Sequence, residues 1–564
     1  MNADRLLALY EKVAEAPNAV PRLRRFVLDL AVRGKLVEQD PTDEPASELL
    51  KRIAAEKARL VKAGELREPR NAVVIKRDEL PFVPPAHWVW ARLIDIARPS
   101  YGFAFKSSQF NGEKRGMPLI RIRDISKMDT EAYYEGEYDP GYLVRAGDYL
   151  VGMDGDFNLR RWAGPDGLLN QRVMRINGWR CEIDPKFVKL PLQMILGYLH
   201  GDTSLTTVKH LSAKQVNGIE IPLPPLAEQR RIVGSEEELM ALLDRLEAVR
   251  TTREATRDRL TAASLARLTA PGTDQADFPA NARFALATLP ALTTHPDQIK
   301  PLRQTILNLA VRGKLVEQNP TDEPASELLD KLHSESSKKK KTARTSPAKH
   351  AAEMSFECPP GWAWAQVRQI LAPDRDISYG VIKLGPEPKS GGVPTLRCSD
   401  VRPGFIDLSG VRKVQESIEA DYARTRLEGG EVVINIRGTL GGVALVPDDL
   451  KGHNVAREVA VIPIAADLSG PFLVYLMLSP YFWDHIQNNL RGIAYKGLNL
   501  GILRELPIPL PPLAEQHRIV AKVDVLMALC DRLETSLTTA DTTRARLLEV
   551  LLHEVLGSGL TTRT

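Results

Sequence analysis

Two long stretches of the chain place apolar residues at alternating steps of four and three. After Leu513, Ile519, Val523, Leu526, Cys530, Leu533 and Leu537 keep this spacing, which is the seam of a helix that packs along another helix. The matching positions after Leu226 are Ile232, Glu236, Leu239, Leu243, Leu246 and Arg250, so two charged residues interrupt the first seam. The pattern predicts helices over 226–268 and 513–556. Each spans roughly 65 Å, too long to lie inside one domain, so each must project and pair with another helix. Ile-Pro-Leu-Pro-Pro-Leu-Ala-Glu-Gln precedes both, at 221–229 and 508–516. Proline cannot extend a strand ladder but is tolerated in a first helical turn, so each Pro-Pro marks where a globular segment turns into helix. Glu228, Gln229, Glu515 and Gln516 then read as first-turn residues and candidate partner contacts rather than catalytic acids.

The Pro-rich stretch belongs to a longer duplication. Residues 23–53 align without gaps to 302–332 with 23 of 31 identical, and 219–233 align to 506–520 with 12 of 15 identical. Weaker echoes lie between these anchors: Trp88-Val-Trp90 and Trp362-Ala-Trp364, Ser100-Tyr-Gly102 and Ser378-Tyr-Gly380, Arg121-Ile-Arg-Asp124 and Arg397-Cys-Ser-Asp400. The chain is two copies of one cassette. Each opens with a helix, 22–33 in the first copy, closed by a glycine, Gly34 or Gly313, of the type that caps a helix C-terminus. A second helix restarts within Asp-Pro-Thr-Asp-Glu-Pro, with Thr42 or Asp43 as its expected cap and 47–62 as its body. The centres of the cassettes change to short β-type runs, expected at 88–93, 118–125, 149–153 and 172–176, followed by a helix at 185–200. The second copy predicts strands at 362–367, 394–401, 431–437 and 458–464 and a helix at 472–489. Residues 334–350, with four consecutive lysines, read as a solvated linker.

Composition narrows the class. A chain of 564 residues at 43% hydrophobic suits several cores. Lys plus Arg exceeds Asp plus Glu by 76 against 72, so any basic surface must be local. The four cysteines, Cys181, Cys358, Cys398 and Cys530, form no CxxC and imply neither a disulfide framework nor a zinc site. No apolar run is long enough to cross a bilayer, and a reducing cytoplasm is the expected location.

Nearly identical flanks around dissimilar centres imply a division of labour. The constant parts dock two copies of one partner about a pseudo-twofold axis, and the centres read an asymmetric two-part target. The centres carry side chains suited to nucleic acid. Arg121 and Arg123, read as alternating along one strand, would share a face from which a guanidinium grips guanine or a phosphate; an ordinary solvated strand face fits as well. In the loop 154–161, Asn158 is suited to adenine, Asp154 and Asp156 to cytosine, and Arg160 with Arg161 to the backbone. A tight polar turn is the plain alternative. Its counterpart, 435–442, offers Asn435 and Arg437 among glycines that would let the backbone approach a phosphate. Lys209 and Lys496 occupy equivalent positions and read as backbone clamps; Lys214, Lys383, Arg397 and Asn499 complete the candidate DNA-binding set.

Absences count too. There is no GxxxxGK[ST], no Asn- or Asp-Pro-Pro-Tyr tetrapeptide of an amino-methyltransferase, and no HExxH. The spacing Pro373-Asp374 followed by Glu387-Pro-Lys389 formally resembles a nuclease metal site, but Pro388 breaks the strand such a site needs.

Taken in order and in duplicate, these motifs carry a resemblance. GKLVEQxPTDEPASELL at 34–50 and 313–329, IRIRDI at 120–125, MDGDFN at 153–158 with LNQRV at 169–173, and PLPPLAEQxRIV at 222–233 and 509–520 make the chain resemble the specificity subunit of type I restriction-modification systems. The resemblance implies an α+β fold: two α/β target recognition domains separated by long antiparallel coiled-coil helices, with an internal twofold cassette repeat. It implies a helical region at 1–80, recognition domains at 81–225 and 356–512, a central region at 226–355 with long helix, linker and repeated hairpin, and a final long helix at 513–564. It further implies a non-catalytic, cytoplasmic chain that binds double-stranded DNA, two copies of a modification subunit and restriction subunits. S-adenosylmethionine would belong to the modification partner, and ATP with Mg to the restriction subunit. The competing readings are a self-contained methyltransferase or nuclease, which lacks a catalytic motif here, and a coiled-coil scaffold that never touches DNA.

Overall fold

In both cassettes the Ile-Pro-Leu segment is a strand before the chain becomes helix. The computed structural model describes residues 1–64, 77–80, 82–180, 182–202, 210–269, 277–339, 356–490 and 497–557. It forms two units, Met1–Thr251 with Thr542–Thr564, and Thr252–Asp541.

The first unit begins with helices Ala3–Val13, Ala19–Val32 and Ala46–Lys62. Leu23, Phe26, Val27 and Leu30 line the buried face of the second of these at helical spacing. That helix ends as expected at Gly34, whose φ of +64° is followed by a 2.8 Å bond from the Lys35 N–H to the Leu30 carbonyl. A Cβ at Gly34 would meet Pro85 Cγ at 2.4 Å, so the cap is also a packing point. The next helix differs from expectation: its N-cap is Pro45, without a side-chain cap. Asp43 is instead gripped by both Arg231 terminal nitrogens, at 3.1 and 2.6 Å, and so ties the hairpin to the long helix.

The strands of this unit are β1 Val89–Arg92, β2 Arg98–Tyr101, β3 Phe110–Asn111, β4 Met117–Ile120, β5 Tyr133–Tyr134, β6 Leu143–Val144, β7 Tyr149–Gly152, β8 Leu159–Arg161, β9 Gly167–Leu169, β10 Val173–Asn177 and β11 Glu220–Leu223. They form a β1-β11 ladder, a four-stranded sheet β2-β10-β7-β8 and a five-stranded sheet β3-β5-β4-β9-β6. Helix Pro185–Asp202 lies between β10 and β11 in the chain. One continuous core joins Leu23, Phe26, Trp88, Phe187, Ile221 and Leu243, and thus the helices, the ladder and the start of the long helix.

The second unit repeats the frame. Its strands are β12 Ala363–Gln366, β13 Ser378–Tyr379, β14 Val393–Leu396, β15 Val401–Arg402, β16 Phe405–Ile406, β17 Arg412–Val414, β18 Val432–Asn435, β19 Val443–Leu445, β20 Asn454–Val455, β21 Val459–Ile462 and β22 Pro507–Leu510. The β12-β22 ladder sets Trp364 against Pro509 as β1-β11 sets Trp90 against Pro222, and β13-β21-β18-β19 has the order of β2-β10-β7-β8. The outer sheets differ: β17-β14-β20 and the β15-β16 hairpin replace the five-stranded sheet. The helix expected at 472–489 is two, Gly470–Leu478 and Pro480–Leu490, because the residue before Pro480 is driven out of helical conformation.

The long helices are Leu226–Thr269 and Leu513–Gly557, and each passes from one unit into the other. The fold is thus two α/β domains linked by long helices. Seam residues Ile232, Leu239, Leu243, Ile519, Val523 and Cys530 are buried, whereas Leu533 is 38% exposed. The charged seam position Arg250 donates to the Ala16 carbonyl at 3.2 Å. Among the described residues no helix is long and apolar enough to cross a membrane.

Candidate nucleic-acid interface

The duplication extends to individual side-chain pairs. Arg24 pairs with Asp244 and Glu247 at 2.6 and 2.7 Å, and Arg303 pairs with Asp531 and Glu534 at 2.6 Å each. Arg518 meets Asp322 at 2.7 Å, as Arg231 meets Asp43. Glu228, Gln229, Glu515 and Gln516 are at most 1% exposed, which removes them as partner contacts. Gln229 donates from Nε2 to the Pro224 carbonyl and accepts the Asp184 N–H at Oε1, both at 3.0 Å. Gln516 makes the same pair with Pro511 and Ser469, again at 3.0 Å. Glu228 accepts from Trp88 Nε1 at 3.3 Å beside His87, and Glu515 accepts from Gln318 Nε2 at 3.3 Å. Burial pushes both carboxyls above the usual carboxylate range. The repeated motif is a structural node between strand and arm.

The loop joining β7 to β8 exposes Gly155, Asp156 and Asn158 at the edge of the first sheet. Gly155 and Phe157 turn it with φ of +74° and +48°. Phe157 is buried, edge-on to His200, and anchors the loop from below. Asp154 is held by His210, whose Nδ1 donates to Oδ1 at 2.6 Å, and lies 3.4 Å from Arg172 Nε. Asp156 and Asn158 are left exposed at the tip. Arg160 and Arg161 belong to the edge strand β8 rather than to the loop, and both are exposed. Arg172 and His210 were missed from sequence; the signal was LNQRV following MDGDFN, which returns beside Asp154 because β10 pairs with β7.

Other candidates change character. Arg121 and Arg123 do not alternate along a strand: β4 ends at Ile120, and Arg121 is the N-cap of a one-turn helix, Ile122–Ile125. Its backbone N–H and Nε reach Asp124 Oδ2 at 3.0 and 2.9 Å, and Asp124 is 2% exposed. Arg397 repeats this with buried Asp400, at 2.8 and 3.3 Å. These arginines brace a turn, and Arg123 is the exposed one.

In the second unit Asn435 is 1% exposed and its Nδ2 donates to the carbonyls of Cys398, Val401 and Thr439 at 2.9, 3.2 and 3.0 Å, so it is withdrawn from any base edge. Gly442 is needed for close packing rather than for phosphate approach, since a Cβ there would meet the Val401 carbonyl oxygen at 2.2 Å. Arg437 is half-buried. Asn499 caps helix Leu500–Glu505 by accepting the Gly501 N–H at 2.7 Å. Lys214, on helix Ala213–Asn217, and Lys383 are exposed. Lys209 and Lys496 lie outside the described residues. Glu387 accepts the Lys413 N–H at 3.0 Å and so braces a strand edge instead of a metal site.

The sequence matches the type I restriction modification DNA specificity domain at residues 85–250 and 382–540. The chain is 30% identical over 475 residues to the type I restriction enzyme EcoBI specificity subunit of Escherichia coli, covering 84% of this chain and 86% of that one. It is 30% identical over 584 aligned positions to the EcoEI specificity subunit of the same organism, covering 95% and 94%. The crystal structure of the HsdS subunit from Thermoanaerobacter tengcongensis is similar at a TM-score of 0.36 and 17% identity, over 84% of this chain and 98% of that one.

Proposed function

Because the chain belongs to the type I restriction-modification DNA specificity family, a family of non-catalytic, sequence-specific DNA-recognition subunits, we propose that its recognition domains, 81–225 and 356–512, each read one half of a bipartite, asymmetric site. One observation carries this reading: the strand ladders, the Gln229 and Gln516 nodes and the Arg24 and Arg303 ion pairs recur in both copies, while the outer sheets and exposed loops do not. Two similar frames under two different reading surfaces suit identical neighbours and unlike half-sites.

In the first domain Arg123, Asp156 and Asn158 face base edges, while Arg160, Arg161 and Lys214 hold the backbone. Asp154 positions the loop through His210 and Arg172. In the second domain Lys383 and Arg437 contact DNA, and Lys209 and Lys496 are the paired clamps. Arg121, Arg397, Asn435 and Asn499 support the reading surfaces from beneath. The central region 226–355 and the helix region 513–564 set the gap between half-sites and dock two modification subunits, which bring S-adenosylmethionine. Restriction subunits bring ATP and Mg to the same assembly.

Methylome sequencing of cells expressing this chain with its modification partner tests the proposal. The expected result is one motif of two unlike halves separated by a fixed unread gap. A continuous or palindromic motif overturns it.

A further inference from the structure

Two copies of one frame reveal where the cassettes differ in shape. The Asp184–Gln229 and Ser469–Gln516 bonds place helix Pro185–Asp202 on helix Gly470–Leu478, so that Lys189 corresponds to Val474. Strand pairing places Arg161, opposite Tyr149, on Leu445, opposite Val432. The repeats place Glu236 on Val523 and Arg25 on Gln304.

In the second unit this space is closed by apolar packing. Val474 is 5% and Val523 0% exposed, and a Cβ on Gly470 would meet Leu445 Cδ1 at 2.5 Å. In the first unit the same space is an open cleft of about 1250 Å³. Charged groups do not enter a dry interface without partners, so the substitution of charged for apolar or neutral residues at these positions keeps the cleft open to water.

The charges do not cancel. Arg24 is held by Asp244 and Glu247, and Lys186 by Glu237. Asp29 lies 3.8 Å from Arg33 and also faces Arg25. Arg25, Arg160, Arg161 and Lys189 form no ion pair within 4 Å among the described residues, and Glu236 is the acidic residue beside Lys189. A second cavity of about 450 Å³ shares Arg161 and Lys186 and continues to the exposed Arg230. The result is a groove with surplus positive charge, bordered by the edge strand β8 that follows the exposed Asp156 and Asn158. A surplus of one sign along a groove suits a polyanion, and the DNA-reading role proposed above for the adjoining domain makes duplex DNA that polyanion.

We propose that this groove holds the sugar-phosphate backbone of the bound duplex, so that the first cassette grips DNA through its constant helices as well as its recognition domain, while the second does not. The proposal rests on the DNA-reading role above and adds an asymmetry to it: most of the salt-dependent affinity belongs to one half of the chain.

The test uses the full chain and a fluorescent mixed-sequence duplex, with binding measured across a salt series. A triple variant carries the second cassette's own residues, Arg25→Gln, Arg161→Leu and Lys189→Val. Its slope of log affinity against log salt is expected to fall by about 0.9 for each phosphate no longer neutralised, roughly 2.7 in all. Glu236→Gln is expected to tighten binding about two- to fivefold, the scale of one solvated charge pair, and a misfolded variant would not give that gain. An unchanged slope in the triple variant with no gain from Glu236→Gln overturns the groove. A triple variant that keeps wild-type DNA binding but no longer co-purifies with a partner subunit overturns it in favour of protein docking. A wild-type chain that binds no duplex at low salt removes the DNA-reading role itself, and the groove with it.

Discussion

The Oε1 of Gln229 accepts the backbone N–H of Asp184 at 3.0 Å, and the Gln229 side chain is fully buried. One side chain thereby fixes the start of the Pro185–Asp202 helix to the first turn of the long helix, while its Nε2 closes the Pro224 turn. Gln516 repeats the arrangement with Ser469. Gln229→Ala leaves a donor and an acceptor unmatched around a buried position, so it is expected to destabilise the first unit by about 2–4 kcal/mol. Urea unfolding of the variant beside wild type measures this. A loss under about 1 kcal/mol, the net value of one ordinary hydrogen bond, would mean that the node is dispensable.

The buried Glu228 and Glu515 give the node a pH dependence. Burial raises both carboxyls, so the folded state holds their protons more tightly than the unfolded chain does. Their contribution favours folding at low pH and is lost as pH rises from the unfolded carboxylate value through the raised folded one. A Glu228→Gln, Glu515→Gln double variant keeps the acceptors for Trp88 and Gln318 without a buried charge. Its melting temperature is expected to exceed wild type near neutral pH and to vary less between mildly acidic and neutral pH. Parallel pH profiles for the two proteins would rule out this titration.

Arg121 and Arg123 should separate cleanly. Arg121→Ala strips a guanidinium from the buried Asp124, which keeps the Thr130 hydroxyl at 3.1 Å, so a loss of about 1–3 kcal/mol in stability is expected. Arg123→Ala should leave the fold intact and weaken specific DNA binding by about 1–3 kcal/mol, relaxing one half-site. Thermal melts together with binding to matched and scrambled duplexes distinguish the two. Equal loss on all sequences would make Arg123 a phosphate contact.

The spacer is the third axis. Removing two helical turns from Leu226–Thr269 should shift the preferred gap between half-sites and leave the half-site sequences unchanged. Methylome sequencing of the shortened chain reads both at once, and an unaltered gap would refute the helix as ruler.

The seam spacing, the Pro-Pro entries and the Gly34 and Gly313 caps were legible because each is a local rule: period, missing N–H, positive φ. The outer five-stranded sheet was not, because β3, β5 and β6 are two residues long and carry no period. Arg-Ile-Arg invited a strand reading since residues two apart share a strand face. Asp124, three residues after Arg121, was the helix-start signal that outranked it. Asn435 looked like a reader by residue type alone; only the close approach of the 398–401 backbone turns its amide inward.

Leu548, fully buried, packs with Val13, Ala16 and Ala19, and Arg22 donates to the Ala545 carbonyl at 3.4 Å. The piece that seals the first unit is therefore synthesised after the whole of the second. During translation Val13, Ala16 and Ala19 stay uncovered until Leu548 has emerged from the ribosome, whereas Leu23, Phe26 and Leu30 already have Trp88 and Phe187 to pack against. The last contact of the first unit thus forms only after residues 252–541 have been made, which couples the packing of one unit to the synthesis of the other.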